Sequence, residues 1–428
     1  MARRPQLRNV RNVLIRALAH AATAALIMVF ASVLMKPAQA QTLKVLYSFT
    51  GGPDDQGCPN PLTMDKAGNL YGTTSTGCNV DHGGVVFRLT THGSGWVFNS
   101  LYRFQGGSDG WDTYDPVVFG PDGALYGTTF AGGAWGNCYG SSCGTVFKLM
   151  PPATFCKNVQ CPWIETLLHR FNLYGGGEPV SGYGLIFDQS GNLYGTTEIG
   201  GSSDCGGFGC GVVYKLGPTN SGWWDESVIY AFTMGANGYI PKSGVIFDKF
   251  GNLYGTTTKG GIYDQGALFQ LTPSASGWTE RVLHSFNPQD EGTPFGKGLL
   301  MDESGTLYGT TAGDYDNNFG GTVFALSPGD WTFTILYRFP SQSYLYPYSL
   351  VVDAAGDFYG ITACINNTTG SVFKLTPQGQ LTDIYDFTYN GSGGYCPEGL
   401  LLGANGNVYG TSRYGGANGW GVVWEITP

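Results

Sequence analysis

The sequence predicts an all-β protein, a seven-bladed β-propeller with four strands per blade. One observation behind this prediction is a heptapeptide, Gly-Asn-Leu-Tyr-Gly-Thr-Thr at residues 68–74, which recurs in recognisable form at intervals of 50 to 68 residues. Its seven tyrosines are Tyr71, Tyr126, Tyr194, Tyr254, Tyr308, Tyr359 and Tyr409. A period of this size is typical of repeat architectures. The other observation is that the N-terminus holds the fourth strand that the last repeat lacks, which indicates a closed ring.

Residues 1–40 have the pattern of a signal peptide. Five arginines precede an apolar stretch from Ala17 to Met35, and Ala-Gln-Ala at 38–40 matches a cleavage site. We expect cleavage after residue 40, which leaves a single propeller domain at 41–428. The alternative is an uncleaved membrane anchor, because the apolar stretch is almost long enough to span a bilayer.

The predicted mature chain is acidic. Its formal charge falls from −9 to −15, because six of the 22 Lys and Arg but none of the 31 Asp and Glu lie within residues 1–40. Nucleic-acid affinity comes mainly from Lys and Arg on phosphates, and anionic membrane surfaces attract the same residues. We therefore expect no nucleic-acid partner and, after cleavage, no membrane association.

Each repeat divides into four predicted strands, A to D. In the first repeat these are residues 61–65, 69–74, 84–89 and 96–104. Valine, phenylalanine and tyrosine dominate the four runs, as half-buried pleated positions prefer. The 69 glycines of the chain suit short strands joined by tight turns.

The A–B connections repeat an Asp-x-x-Gly pattern. Asp in the first position and Gly in the fourth favour a type I turn followed by a residue at positive φ. The pattern occurs at Asp65…Gly68, Asp188…Gly191, Asp248…Gly251, Asp302…Gly305 and Asp353…Gly356. We interpret these aspartates as turn formers, not as catalytic groups.

Strand D carries an aliphatic residue followed three positions later by Phe, and its first copy comes before the first strand A. That copy is Leu46-Tyr-Ser-Phe49, whereas the last strand C, around Val423-Trp424, has no strand D after it. Pairing of residues 43–49 with the last three strands would complete the seventh sheet. The ring would then leave only short, protected edges.

Three segments recur in order along the repeats in recognisable form: the heptapeptide, a following Gly-Gly, which the sixth repeat lacks, and a closing Gly-x-Val-Phe-x-Leu. They resemble the Gloeobacter/Verrucomicrobia (GloVer) tandem repeat of bacteria, over essentially all of residues 41–428. The resemblance implies a secreted propeller and no settled activity. The Asp-x-x-Gly-Asn-Leu-Tyr turn is also similar to that of NHL-type propellers, which implies the same fold.

The long, variable loops mark the predicted ligand face. If strand A is innermost, the B–C and D–A loops share one face, and variable loops on a rigid scaffold commonly carry function. Flat rings beside carboxylates could stack on a sugar and hydrogen-bond to it; the alternative is that the rings pack between neighbouring loops. The candidate ligand-binding residues are Trp111, Tyr114, Trp135, Tyr139, Tyr239, Tyr263, Tyr315, Trp420, Asp112 and Asp115.

Three classes of function stay open. The preferred hypothesis is a binding module for an extracellular glycan or protein partner. A propeller-type polysaccharide lyase or glycoside hydrolase and a structural cell-envelope component are the alternatives. Catalytic signatures are sparse: His-Glu-x-x-His and phosphate-loop motifs are missing, and His82 is the only histidine on the favoured face. We expect binding without turnover, no cofactor, and a monomer that is periplasmic or secreted.

Ten cysteines, an even number in an exported chain, predict five disulfides. The predicted pairs are Cys58–Cys78, Cys138–Cys143, Cys156–Cys161, Cys205–Cys210 and Cys364–Cys396. Zinc is the alternative, but the sequence has no Cys-x-x-Cys pair. Asp314, Asp316 and Asn318 alternate as in a calcium loop but lack the Glu at the twelfth position, so they form only a calcium candidate.

Overall fold

The computed structural model of this chain describes residues 42–75, 83–133, 143–152, 162–172, 177–179, 184–201, 204–219, 222–289, 291–294, 296–313, 320–340, 346–364, 368–389 and 391–428. Residues Leu43–Thr427 form one compact unit, and a second unit comprises Met1–Thr42 with Pro428. Over the described part of Leu43–Thr427, seven antiparallel sheets contain almost all of the regular structure. The predicted seven-bladed propeller is confirmed.

Every sheet has the strand order A-B-C-D. From blade 1 to blade 7, the A strands are Thr63–Met64, Val118–Phe119, Ile186–Phe187, Ile246–Phe247, Leu300–Met301, Tyr346–Val352 and Tyr395–Leu402. The B strands are Leu70–Thr74, Leu125–Thr129, Leu193–Ile199, Leu253–Thr257, Leu307–Ala312, Phe358–Ala363 and Val408–Tyr414.

The C strands are Val85–His92, Thr145–Met150, Val212–Pro218, Ala267–Ser274, Thr322–Ser327, Ser371–Leu375 and Val422–Ile426. The D strands are Gly95–Arg103, Ile164–Arg170, Trp224–Ala231, Gly277–Ser285, Thr332–Arg338, Leu381–Asp386 and, for blade 7, Leu43–Ser48. Blades 3 and 5 add the short strands Gly177–Pro179 and Thr293–Pro294. Two 3₁₀ turns lie at Gly107–Asp109 and Cys205–Gly207.

Of the helices in the described ranges, none is long and apolar enough to cross a membrane.

The N-terminal strand closes the ring. Leu43–Ser48 pairs antiparallel with Val422–Ile426, and Val45 lies opposite Trp424. Just beyond this strand, the Phe49 N–H donates to the carbonyl of Gly421 at 3.0 Å. The closure predicted from the displaced strand is therefore confirmed.

The A–B turns are built by their aspartates. Asp65 Oδ1 accepts the backbone N–H groups of Ala67 and Asn69, each at 2.9 Å, and Oδ2 accepts the Asn69 amide and the Tyr71 hydroxyl. Burial by itself would raise the pKa of Asp65, but these hydrogen bonds outweigh burial and the pKa is lowered. Gly68 closes the turn at a φ of 83°. Asp188, Asp248 and Asp302 repeat the arrangement.

The glycine after each heptapeptide tyrosine makes room for a ring of strand C. Gly72 lies opposite Phe87 in the sheet, and a Cβ at Gly72 would lie only 2.6 Å from the Phe87 Cζ. The other pairs are Gly127 with Phe147, Gly195 with Tyr214, Gly255 with Phe269, Gly309 with Phe324, Gly360 with Phe373 and Gly410 with Trp424. The Tyr-Gly dipeptide is therefore required by packing within each blade.

Aromatic contacts join each blade to the next. The Phe that follows or ends a strand D packs against the strand C ring of the following blade, with ring centroids 5.0 to 5.5 Å apart. The pairs are Phe49–Phe87, Phe104–Phe147, Phe171–Tyr214, Phe232–Phe269, Phe286–Phe324, Phe339–Phe373 and Phe387–Trp424. The core is thus a chain of clusters between neighbouring blades, and Phe49 connects its two ends.

Phe49→Ala tests this closure. Phe49 is fully buried against Phe87 and Phe98, so we expect the free energy of unfolding to fall by about 3–5 kcal/mol. Denaturant unfolding measures it, with the half-exposed Val97→Ala on the outer strand of blade 1 as the control. A loss below about 1 kcal/mol, as expected of a surface change, would contradict the closing role of Phe49.

Half-buried carboxyl groups lie on the outer strands. Glu165 and Glu280 each have one carboxyl oxygen that, within the described residues, is buried without a hydrogen-bond partner. Burial raises the pKa of Glu280 from 4.5 to about 7. Burial and the charge of Asp109 raise that of Glu165 to about 7 as well. Both carboxyl groups therefore stay protonated to a higher pH in the folded protein than in the unfolded chain.

The free energy of unfolding should fall as the pH rises from the ordinary pKa of a glutamate to the raised pKa of these two carboxyl groups. Between pH 4.5 and about 7 the folded protein binds more protons than the unfolded chain, so a rise in pH favours unfolding. We expect Glu280→Gln to raise the melting temperature at pH 8 and to leave it nearly unchanged at pH 4.5. Equal effects at both pH values in thermal melts would contradict the raised pKa.

Candidate functional site

An inner ring of polar residues lies where the D–A loops enter the A strands. The position eleven residues before the heptapeptide tyrosine is equivalent in every blade. Its six described copies are Asn60, Asp115, Ser243, Lys297, Tyr348 and Glu398. Lys297 of blade 5 interacts electrostatically with Asp115 of blade 2 as well as with Tyr348 and Glu398. These residues therefore converge from different blades on the centre of the propeller.

The heptapeptide threonines position one part of the inner ring. The Asn60 amide donates to Thr73 Oγ1 at 3.0 Å, and Thr128 Oγ1 donates to the Asp115 carboxylate at 2.8 Å. Thr73 Oγ1 also donates to the backbone carbonyl of Asp115 at 2.9 Å, which ties blade 1 to blade 2. Recurring threonines thus hold the variable inner-ring residues in place.

The other part of the inner ring carries compensated charges. Lys297 Nζ lies 3.9 Å from Glu398 Oε2 and 5.0 Å from the ring centre of Tyr348. Arg413 approaches the other Glu398 oxygen at 3.3 Å and donates to Ser75 Oγ at 3.4 Å. Lys297 is only 6% exposed. Burial by itself would lower its pKa, but Tyr348, Glu398 and Asp115 outweigh burial and the pKa is raised, so the lysine stays charged.

Tyrosines extend from this cluster across the loop face. The Arg413 guanidinium carbon lies 6.0 Å from the ring centre of Tyr114 and 5.9 Å from that of Tyr414. The ring centre of Tyr395 lies 5.5 Å from that of Tyr414 and 4.9 Å from that of Tyr389. Tyr389 is 52% exposed and the other three are partly buried. We call these five residues the tyrosine strip.

A model of the Gloeobacter/Verrucomicrobia repeat matches residues 31–208, 144–363 and 300–428, which together span nearly the whole chain. The chain belongs to this family. No curated protein is significantly similar to it in sequence.

Solved structures share the fold of this Gloeobacter/Verrucomicrobia repeat protein. One is an extracellular domain described as part of a hybrid two-component system of B. thetaiotaomicron, with a TM-score of 0.52 and 12% identity over 90% of this chain and 39% of that one. Another is PorZ, a surface component of the type-IX secretion system of Porphyromonas gingivalis, with a TM-score of 0.51 and 14% identity over 90% of this chain and 48% of that one. The repeat protein thus spans less than half the length of either, and the similarity shows the fold alone.

Three of the sequence-predicted site residues lie at or beside the inner ring. Asp115 belongs to it, and Tyr114 belongs to the tyrosine strip. Buried Asp112 accepts the Tyr114 hydroxyl at 2.7 Å. Burial, and then this hydrogen bond, raises the pKa of Tyr114. Trp111, partly buried, pairs its backbone with that of Ala131 in the same loop region.

The remaining described candidates lie elsewhere in the repeat protein. Tyr239 and the exposed Tyr263 belong to the loops of blade 4, where the Tyr239 hydroxyl donates to Asp264 at 3.3 Å. Trp420, in the loop of blade 7, packs against the core cluster that contains Phe49. Its ring contacts Gly51, so it contributes to packing at the ring closure.

Several predicted features fall on residues that the structure does not describe. They are Trp135, Tyr139, Tyr315, His82 and the calcium candidate Asp314, Asp316 and Asn318. Within the described ranges, no three His, Cys, Asp or Glu side chains are grouped as a metal site.

Two predicted disulfides are confirmed. Cys205–Cys210 closes a B–C loop of blade 3, and Cys364–Cys396 joins the B–C loop of blade 6 to strand A of blade 7, two residues before Glu398. Cys58 and Cys143 are also disulfide-bonded. Their predicted partners, Cys78 and Cys138, and the pair Cys156–Cys161 lie outside the described residues.

Sequence reasoning missed the charged part of the site. Tyr348, Glu398 and Arg413 lie within strands, and Lys297 lies three residues before strand A of blade 5, whereas the sequence pattern favoured rings and aspartates of the long loops. The available signal was a position that every repeat shares but that holds a different polar residue in each described blade. Aligning the seven repeats on the heptapeptide tyrosine would have revealed the inner ring eleven positions before it.

Proposed function

We propose that this repeat protein is an exported binding module whose B–C/D–A loop face binds an extracellular glycan at the centre of the propeller. The tyrosine strip beside the inner ring carries the proposal. Four tyrosines and Arg413 form one continuous surface that leads to Lys297 and Glu398. Ring faces beside a few fixed polar groups are typical of small-molecule sites.

The charge balance favours a glycan over a protein partner. Two cations, Lys297 and Arg413, face two carboxylates, Asp115 and Glu398, so the cluster offers hydrogen bonds without a large net charge. Protein interfaces instead bury an apolar core from which charged residues are depleted. A polar ligand that presents hydroxyl groups and an apolar ring face matches this surface.

Binding without catalysis agrees with how the two carboxylates are held. Arg413 and Lys297 approach the two oxygens of Glu398 separately, and Asp115 accepts from Thr128. Groups fixed in this way are suited to holding a ligand. Export rests on the signal-type sequence of residues 1–40 and on the disulfides, which form in oxidising compartments.

A glycan and polysaccharide array tests the proposal. We expect saturable binding without cleavage products, and Tyr114→Ala and Tyr414→Ala should each weaken binding at least about tenfold, or about 1.4 kcal/mol, with little change in melting temperature. Trp223→Ala is the control, because Trp223 is 57% exposed and lies at the C–D turn of blade 3. Equal losses in the control, or no bound glycan, would contradict the proposal, and released products would favour the enzyme hypothesis.

A further inference from the structure

A second cavity opens on the opposite face, between the A–B turns of blades 4 and 5. Its volume is about 720 Å³, which is within the range of small-molecule sites. Its apolar walls are Phe247, Phe250 and Tyr254 of blade 4 and Met301, Pro328 and Trp331 of blade 5. We call this cavity the turn-face cleft. It is separate from the proposed glycan site, because the A–B turns and the loops lie at opposite ends of the strands.

Phe250 departs from the repeat. The third residue of the A–B turn is small or polar in every other blade: Ala67, Asp122, Ser190, Ser304, Ala355 and Asn405. In blade 4 it is Phe250, which is 75% exposed. The turn itself does not need a ring there, because the turns with serine or alanine form the same hydrogen bonds. This ring does not stand alone on the surface, because it lines the turn-face cleft together with five other apolar side chains, and a grouped apolar surface of this kind marks a binding site.

The other walls of the turn-face cleft are held in place. The ring centres of Tyr254 and Trp331 lie 5.8 Å apart. Trp331 and Met301 pack against the buried cluster that includes Leu307. The Tyr254 hydroxyl donates to Asp248 at 3.1 Å and accepts from Gln270 at 2.8 Å. The walls of the cleft therefore offer ring faces, and the hydroxyl group of Tyr254 is already hydrogen-bonded within the protein.

The rim of the turn-face cleft is acidic. It contains three carboxylates, Asp248, Asp302 and Glu303, and one cation, Lys249. Hydrogen bonds from their own turns outweigh burial and lower the pKa of Asp248 and of Asp302, so both aspartates keep their charge near neutral pH. Lys249 Nζ already lies 5.3 Å from the ring centre of Phe250. The rim therefore has three carboxylates against one lysine, and this net negative charge attracts a ligand cation that lies away from Lys249.

We propose that the turn-face cleft binds an organic cation with an apolar body, such as an aryl or alkyl ammonium compound. The apolar body lies against Trp331 and Phe250, and the positive charge lies at the acidic rim near Glu303, away from Lys249. The proposal does not depend on the glycan site. It combines two properties of the cleft: aromatic walls and an excess of carboxylates at the rim.

Titration of the folded protein with three matched probes tests the proposal. The probes are benzyltrimethylammonium, benzyl alcohol and benzoate, followed by ligand-observed NMR at low ionic strength. We expect the cation to bind at least about fivefold more tightly than the alcohol, and benzoate to bind most weakly, because the carboxylates attract the first and repel the last. Equal affinity for the cation and the alcohol, or no binding of the cation at millimolar concentration, would overturn the proposal.

Variants separate the two parts of the turn-face cleft. Phe250→Ser installs the residue that blades 3 and 5 carry, so the turn should be preserved while affinity for the cation and the alcohol falls at least about fivefold. Glu303→Gln should weaken binding of the cation more than binding of the alcohol. Trp223→Ala removes an exposed ring outside the cleft and should change neither. Unchanged binding in Phe250→Ser, with the melting temperature retained, would place the cation elsewhere and contradict the assignment.

Discussion

The fold depends on the tyrosine of the heptapeptide, because one side chain acts both within its blade and between blades. In blade 3 the Tyr194 hydroxyl donates to the turn residue Asp188 at 3.1 Å. The ring of Tyr194 lies 5.0 Å from Phe247 and 6.4 Å from Trp278, both in blade 4. The residue that closes its own turn therefore also packs the next blade. In a ring of repeats that contact only their neighbours, stability comes from such interfaces.

The propeller fold and its blade count could be predicted from the sequence because the residues that pack in this way lie close together in the chain. The tyrosine, its glycine and the turn aspartate lie within seven residues, so they recur as a motif. The inner ring leaves no such motif, since its contacts, such as that of Lys297 with Glu398, join different blades and the ring position holds a different residue in each described blade. The packing of Trp420 leaves no local motif for a related reason: its partners, near Phe49, come from the other end of the chain.

The two faces of the propeller offer different chemistry. The loop face has tyrosines around compensated charges, and the turn face has an acidic rim around aromatic walls. The turn aspartates were interpreted as turn formers, and their hydrogen bonds agree with that role. Phe250 shows that a turn can keep its aspartate and glycine while its third position carries a large exposed ring. A rigid ring allows the two faces to vary independently, because the strands between them are constrained by packing.

A double-mutant cycle on Tyr194 and Trp278 tests the inter-blade role of the heptapeptide tyrosine most directly. Tyr194→Leu, Trp278→Leu and the double variant would be compared by their free energies of unfolding. We expect a coupling energy of about 0.5–1.5 kcal/mol, as for aromatic pairs in contact. Additivity of the two single changes within about 0.3 kcal/mol would show that the tyrosine serves only its own turn and would contradict the account.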